Sequence, residues 1–461
     1  MAVTRVAFFT YSPVESALEL YRFISPLKAA GIELVQGVVD GEVRPERIAA
    51  VDLVCFQRDF SRHFKAYQDL LTEAHACGVP VVLDLDDNLL MLPPDHPDRL
   101  AGDFADSLPA LLHALLSADA LTVTTPVLKQ ALGAFNPNIV VLPNYLDADL
   151  WQFQQPVKRE EGASVNILFM GTPTHYPDLN GIAEALRGTA KRYGSGVRFT
   201  FFGAQPPEGL ADLAQVDYRP VRSYDYRRFQ QEYCQMEADI ALAPLADNPF
   251  NRCKSGIKFF EYSARGLAGV YAALPPYAAA VRDGENGFLA ADQREWERKL
   301  GTLIENPDLC LKMAGRAQED IRQNWLIQNH GQEWRQAYDE IAGRGVTRAA
   351  NDAPIKQALA AAAQQLDELR ALTKSRYAKM GEDLVLQHAE ILQRGEQLET
   401  LRNEVQGRDV QIEALRNEIL FKDGQIGALR DEVVGYANSR SWKLTRPLRA
   451  LNRFFSRLGR R

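Results

Sequence analysis

The sequence predicts an α/β protein of two successive Rossmann-like domains with a facing cleft, followed by an α-helical coiled coil. Three observations carry this expectation. Residues 3–144 alternate short β-rich runs with amphipathic stretches, the same alternation resumes after a polar linker, and beyond residue 350 a heptad repeat takes over. Strand–helix alternation implies a parallel sheet covered on both faces, with ligands beyond the carboxyl ends of its strands.

The expected first domain covers residues 1–150. Its strands are Val3–Thr10, Ile32–Val39, Leu53–Phe56, Val79–Asp84, Leu121–Thr125 and Ile139–Pro143, with helical segments such as Glu15–Ala30 and His63–Cys77 between them. The polar run Gln152–Ser164 reads as a linker. Residues 151–345 form the second domain, with strands Val165–Met170, Val197–Phe202, Asp239–Pro244 and Leu267–Ala272. Its helical stretches are Leu179–Tyr193, Tyr226–Gln235, Ser255–Arg265, Arg294–Ile304 and Pro307–Gln323.

Residues 354–436 read as coiled coil. Gln397 to Val433 repeats with a period of 14, and Leu398, Val405, Ile412, Ile419, Ile426 and Val433 fall seven apart. Leu401, Leu415 and Leu429 hold the other seam position, alternating there with Arg408 and Lys422. β-Branched residues at one seam position and leucine at the other favour a parallel homodimer, here through 384–436. A lone solvated helix is the alternative. A weaker stripe (Leu359, Leu366, Leu369) precedes the repeat, with a break expected near Thr373–Gly381.

The tail, 437–461, carries Arg440, Lys443, Arg446, Arg449, Arg453, Arg457, Arg460 and Arg461 and no acid. Removing those eight positive charges from the net of −7 leaves −15 for the rest. The body should therefore repel nucleic acid, and the tail should seek an anionic surface. After Pro447, Leu448, Leu451, Phe454, Phe455 and Leu458 gather on one helical face, as in helices that lie on anionic membranes. Docking on the chain's own acidic body is the alternative.

Five scattered cysteines without a CxxC pair give neither a zinc site nor a disulfide framework. No charged-then-apolar leader and no run of 18 apolar residues occurs, so the expectation is a cytoplasmic protein, peripheral at the inner face of the cell membrane. GxGxxG, Walker and HExxH patterns are absent, which argues against a dinucleotide oxidoreductase, an NTPase and a metalloprotease.

The most informative segment is Asp239–Ala272. Lys254, Lys258 and Glu261 are spaced i, i+4, i+7 and so fall on one face of a helix opening near Ser255. Two lysines at a helix start oppose the macrodipole unless an anion sits there, and with the backbone N–H groups they make a diphosphate site. Glu261, one turn deeper, can accept hydrogen bonds from a ribose diol. A surface helix with one Lys258–Glu261 pair is the plain alternative.

The pattern KSxxKxxEYxAxG, a small-residue strand and then VRDGENGFLA (Val281–Ala290) resembles the donor-binding half of GT-B glycosyltransferases of the family 4, or group 1, type. The resemblance implies a nucleotide-diphosphate sugar as co-substrate, no other cofactor and no metal, and it leans toward retention of anomeric configuration. It assigns Glu261 to the ribose and Lys254 and Lys258 to the phosphate side, with Ser255 among the donor-binding residues. It extends to Ile167–Gly171, a strand leading into a glycine turn that faces the cleft, to Phe201–Gly203 and to Val141–Asn144; His175, after Gly171, is a candidate to hydrogen-bond a phosphate on the donor side.

Three departures stand out. Cys253 occupies the place of a second glutamate, the loop Thr172–His175 lacks an Arg and Lys pair, and Tyr11-Ser12-Pro13 lacks the usual glycines.

On the first domain, Val81–Asp87 is a buried-looking strand ending in carboxylates. Asp86 and Asp87 are candidates for serving the acceptor hydroxyl or the anomeric centre. Capping or metal binding are the alternatives. Arg22 and Arg58 are expected on the acceptor side, and His96 as a loop-ordering residue. The expected function is transfer of a sugar to a glycan or lipid-linked acceptor in cell-surface polysaccharide assembly. A degenerate, non-catalytic scaffold that dimerises and recruits assembly enzymes is the rival. An epimerase of the same architecture ranks third.

Overall fold

A computed structural model describes residues 2–458 apart from 13–14, 59, 101–104, 161, 222–224 and 348–352. The chain divides into two compact units, Met1–Arg370 and Ala371–Arg461.

The first unit holds two parallel six-stranded sheets. The first sheet is built from β1 (Arg5–Phe9), β2 (Glu33–Gln36), β3 (Leu53–Gln57), β4 (Val81–Leu85), β5 (Ala120–Val123) and β6 (Ile139–Val141), in the order β2-β1-β3-β4-β5-β6. The second contains β7 (Val165–Gly171), β8 (Val197–Gly203), β9 (Val216–Arg219), β10 (Ile240–Ala243), β11 (Ala268–Ala272) and β12 (Phe288–Ala290), ordered β9-β8-β7-β10-β11-β12. The central strands are buried throughout and apolar on both faces save for Gln57 and Asp84, which is what a sheet covered by helices on each side demands. In each sheet the strand order reverses beside the first strand, at β1/β3 and at β7/β10, and such switch points open a crevice at the carboxyl ends of the strands.

Short edge strands β9 and β12 escape the sequence pattern. So does a two-stranded hairpin, Val38–Val39 with Glu42–Val43. β9 reads Val-Asp-Tyr-Arg and is largely exposed, β12 follows the turn-rich run Arg282–Gly287, and Val38–Val39 ends the expected strand Ile32–Val39, so none declares itself as a separate β-rich run.

The division drawn at residue 345 runs differently in space. Helix Ile327–Arg344 packs on the first sheet, where Trp334, Tyr338 and Ile341 are buried with Val3, Phe8 and Phe23. Its Gly331 lies against helix Ser25–Ala29, where an added Cβ would stand 2.3 Å from the Ala29 carbonyl oxygen. Asp339 accepts a hydrogen bond from the Val3 amide at 2.6 Å. The chain thus crosses between domains twice, and Leu146 meets this second crossing by bonding to Trp325 and Ile327 at 2.8 and 2.9 Å.

Helix Pro354–Asn438 begins in the first unit, where Lys356 and Ala363 are buried and Arg370 pairs with Asp106 at 2.8 Å. It then runs through Thr373–Gly381 without the expected break, because no proline interrupts the backbone there and a lone Gly381 is tolerated in a helix. In the second unit its seam residues, from Leu398 to Val433, are exposed. Helices Arg440–Leu444 and Arg446–Leu458 follow, with Leu448 and Leu451 exposed and the Arg449 guanidinium over the Trp442 ring. The side chains of Phe454, Phe455, Arg457 and Leu458, and residues 459–461, lie outside the described residues.

Candidate active site

The carboxyl ends of the two sheets face each other across a cavity of about 210 Å³, lined among others by Tyr21, Asp86, Asp87, His175, Lys254, Lys258 and Glu261. From the second domain, the turn after β7 supplies Gly171 and His175. A side chain at Gly171 would crowd Phe169, His175 and Lys258, its Cβ falling 2.9, 3.1 and 3.3 Å from their atoms. Glycine therefore lets the lysine and the imidazole approach the strand end.

Lys258 Nζ donates to His175 Nε2 at 2.9 Å, while His175 Nδ1 donates to Asp178 at 2.8 Å. Asp178 in turn accepts from the Ala246 amide and from Asn251, each at 2.8 Å. That chain of donors requires a neutral imidazole with its proton on Nδ1. Burial and the ammonium of Lys258 press the His175 pKa down to about 4. Burial also brings Lys258 down to about 8, with Glu261 acting in the opposite direction.

The helix carrying these groups starts at Ile257, two residues later than Ser255. Lys254 therefore sits in the preceding loop and not on the helix face with Lys258. Its ammonium lies 3.6 Å from Asp87 of the first domain and over the Phe250 ring. Ser255 accepts a hydrogen bond from Asn144 at 3.0 Å, again across the cleft. Cys253 is buried in the first domain's core cluster, with its sulfur 3.8 Å from Asn88 Nδ2. In this arrangement the position that resembles a sugar-contacting glutamate is a packing residue.

Glu261 is buried and bonded by two tyrosines. Tyr226 of its own domain and Tyr21 of the first domain (3.1 Å) both donate to Oε1. Burial raises the Glu261 pKa, and the hydroxyls and Lys258 counter it.

On the facing domain, Asp86 and Asp87 follow β4. Arg58 reaches Asp86 at 3.1 Å and Asp87 at 3.8 Å. Burial and the neighbouring Asp87 raise Asp86 despite Arg58; for Asp87, burial is outweighed by Lys254 and Arg58, which lower it. One carboxylate is thus held ionised beside a second that keeps its proton more readily.

Arg22 is placed on the wall of the cavity, but most of its guanidinium is engaged elsewhere. It forms a two-pronged pair with Asp84 at 2.8 and 3.0 Å and bonds to the Leu142 carbonyl and Asn144. Both side chains are about 1–2% exposed. Arg22 therefore ties the first helical segment to β4 and the domain junction, with four of its five N–H groups spent on those contacts. His96 accepts from the Asp98 amide at 3.3 Å and packs against Phe250, ordering its loop.

Sequence reading missed Tyr226 and Asp178, and it placed Tyr21 beside Arg22 on the acceptor side and Asn144 at the domain junction without seeing that Tyr21 bonds Glu261 and Asn144 bonds Ser255, 240 and 111 residues away. Among the described residues no group of three His, Cys, Asp or Glu side chains could hold a metal ion, and no helix is long and apolar enough to cross a membrane.

Two parallel six-stranded sheets whose carboxyl ends face one polar cleft are the two-domain, Rossmann-like architecture of the GT-B fold. Within the second domain, residues 164–306 match the family model described as "Glycosyl transferases group 1". Trehalose synthase of Pyrococcus horikoshii is 26% identical over 88 residues, 19% of this chain and 21% of that protein, so the match spans about a fifth of the relative's length. Sucrose-phosphate synthase of Thermosynechococcus elongatus superposes with a TM-score of 0.53 at 13% identity, over 74% of this chain and 100% of that one. Anabaena HepE in complex with UDP and glucose superposes at 0.50 with 15% identity, over 73% of this chain and 100% of that one. These structural likenesses speak for the fold.

Proposed function

We propose that this protein is a glycosyltransferase that moves a sugar from a nucleotide-diphosphate sugar to a glycan or lipid-linked acceptor in cell-surface polysaccharide assembly. One observation carries the reading: Lys254, Lys258 and Glu261 line the same cavity as Asp86 and Asp87 of the other domain. In this reading Lys258, and Lys254 once released from Asp87, stabilise the negative charge that grows on the leaving diphosphate, without a metal ion. Glu261 exchanges its tyrosine hydroxyls for those of the ribose. Asp86 or Asp87 receives the acceptor hydroxyl's proton or steadies the anomeric centre, with Arg58 set against both carboxylates. Closure of the domains excludes water, so that transfer outruns hydrolysis.

The long helix serves as a homodimeric coil, and the basic tail holds the cytoplasmic protein on an anionic membrane surface, where a lipid-linked acceptor would lie.

The test is a thermal-shift and calorimetric screen of the whole protein against UDP-, GDP-, ADP- and CMP-sugars, beginning with UDP-glucose. A ligand that binds the folded state raises the melting temperature as its concentration passes the dissociation constant. Binding of one nucleotide-sugar that is lost in Glu261→Ala is the expected result. A folded protein that binds none of them sinks the donor site and favours a non-catalytic scaffold, for which the burial of Cys253 in a packing role already speaks.

A further inference from the structure

The coil's seam carries a second pattern inside the first. With Leu398, Val405, Ile412, Ile419 and Ile426 at heptad position a, position d reads Arg394, Leu401, Arg408, Leu415, Lys422, Leu429. The flanking e and g positions change in step with d. Beside Leu401, Leu415 and Leu429 they are Gln397 with Arg402, Gln411 with Arg416, and Gln425 with Arg430. Beside Arg408 and Lys422 they are Glu404 with Asp409 and Glu418 with Asp423. Acids thus flank the cationic layers alone.

The single helix already forms part of this arrangement. Lys422 Nζ lies 2.6 Å from Glu418, and Arg394 lies 2.6 Å from Glu390, in the same d-to-g relation.

We infer that two copies of this chain pair in parallel and in register along 394–430, and that the cation–carboxylate layers at Arg408 and Lys422 hold that register against a slip of one heptad. The inference rests on the dimer proposed above and adds its alignment. In register, each cationic layer brings two basic side chains together with four carboxylates, two from each helix. A slip of one heptad, about 10 Å along the axis, sets Arg408 against leucine and carries half of its carboxylates away. An antiparallel pair faces d against a, so Arg408 and Lys422 would meet only valine, isoleucine or leucine. Leaving a seam cation without its partners is far costlier than keeping the layer intact, which is how single polar seam residues set alignment in other coils.

The experiment uses the full chain with the exposed Cys77 replaced by serine. Its mass is measured by sedimentation equilibrium. Disulfide trapping then compares Ile412→Cys alone with an equimolar mixture of differently tagged Val405→Cys and Ile412→Cys chains. The expected result is a two-chain mass and same-site disulfides in Ile412→Cys. Mixed 405–412 disulfides should be at least about tenfold rarer, a preference of about 1.4 kcal/mol. Arg408→Leu combined with Lys422→Leu should raise the coil's melting temperature and let mixed disulfides form. A two-chain mass with mixed disulfides as abundant as same-site ones, or with no same-site disulfides, overturns the register and leaves the dimer standing. So does a double-leucine variant that still pairs only in register. A one-chain mass overturns both.

Discussion

The two domains place nearly the same parallel sheet behind the cleft yet present opposite charge to it. The first offers Asp86 and Asp87 at the end of β4; the second offers Lys254 and Lys258 around the start of one helix. The difference teaches that the sheet supplies position and the loops supply chemistry. It also shows what holds the cleft in its present form. Lys254–Asp87, Tyr21–Glu261 and Asn144–Ser255 all cross it, so several of the groups assigned to substrates are satisfied by the opposite domain. A substrate must replace those contacts.

Removing Arg22 should have the largest effect and would separate scaffold from site. Arg22→Ala leaves Asp84 buried without its counter-charge, which costs about 3–5 kcal/mol of stability. Denaturant melts should show this loss. A variant of unchanged stability with a raised KM for acceptor would return Arg22 to the acceptor side.

Next comes the charge on the second domain. Lys258→Ala should lower the transfer rate about 10²- to 10³-fold with the fold intact by circular dichroism, as when a donor to a developing anion is deleted. A rate unchanged at saturating donor would move the diphosphate elsewhere. Glu261→Ala should weaken nucleotide-sugar binding about 10- to 100-fold, or about 1.4–2.8 kcal/mol, by calorimetry.

The pH dependence follows from Lys258 at about 8. Its pKa lies below the ordinary lysine value, so between pH 8 and about 10.5 the unfolded chain binds more protons and stability rises with pH. Donor affinity should move the other way, falling about tenfold per pH unit above about 8 as the ammonium discharges. Parallel titrations of melting temperature and dissociation constant check the opposite signs. A flat affinity profile from pH 7 to 9.5 would rule Lys258 out as the titrating anion ligand.

The smallest expected effect belongs to Tyr21→Phe. It removes one cross-cleft donor from Glu261, worth about 0.5–1.5 kcal/mol, and should tighten donor binding a few-fold. Weaker binding would instead make Tyr21 part of the bound site.

Every one of the longer strands was legible in the sequence, because β-rich runs bounded by turn residues declare themselves locally. Lys254, Lys258, Glu261, Asp86 and Asp87 were legible as candidates for the same local reason, their spacing within one segment. What stayed hidden depends on distant partners. Nothing near Arg22 announces Asp84, 62 residues on, and nothing near Glu261 announces Tyr21, 240 residues back. The start of the helix at Ile257 also lay beyond spacing alone, since Lys254 is drawn into its loop by Asp87. The allegiance of helix Ile327–Arg344 is another tertiary fact: its apolar stripe would suit either sheet, and only packing against Phe8 and Phe23 decides.

That helix has a consequence for how the protein is made. The first sheet is complete in sequence at Val141, but the helix that covers Val3, Phe8 and Phe23 begins roughly 190 residues later. At about 5–20 residues per second, a ribosome needs about 10–40 s to deliver it. During that interval the first domain waits with an uncovered apolar face while the second domain, whose strands lie wholly inside the gap, is free to fold. The domain that begins the chain is thus the one that finishes last.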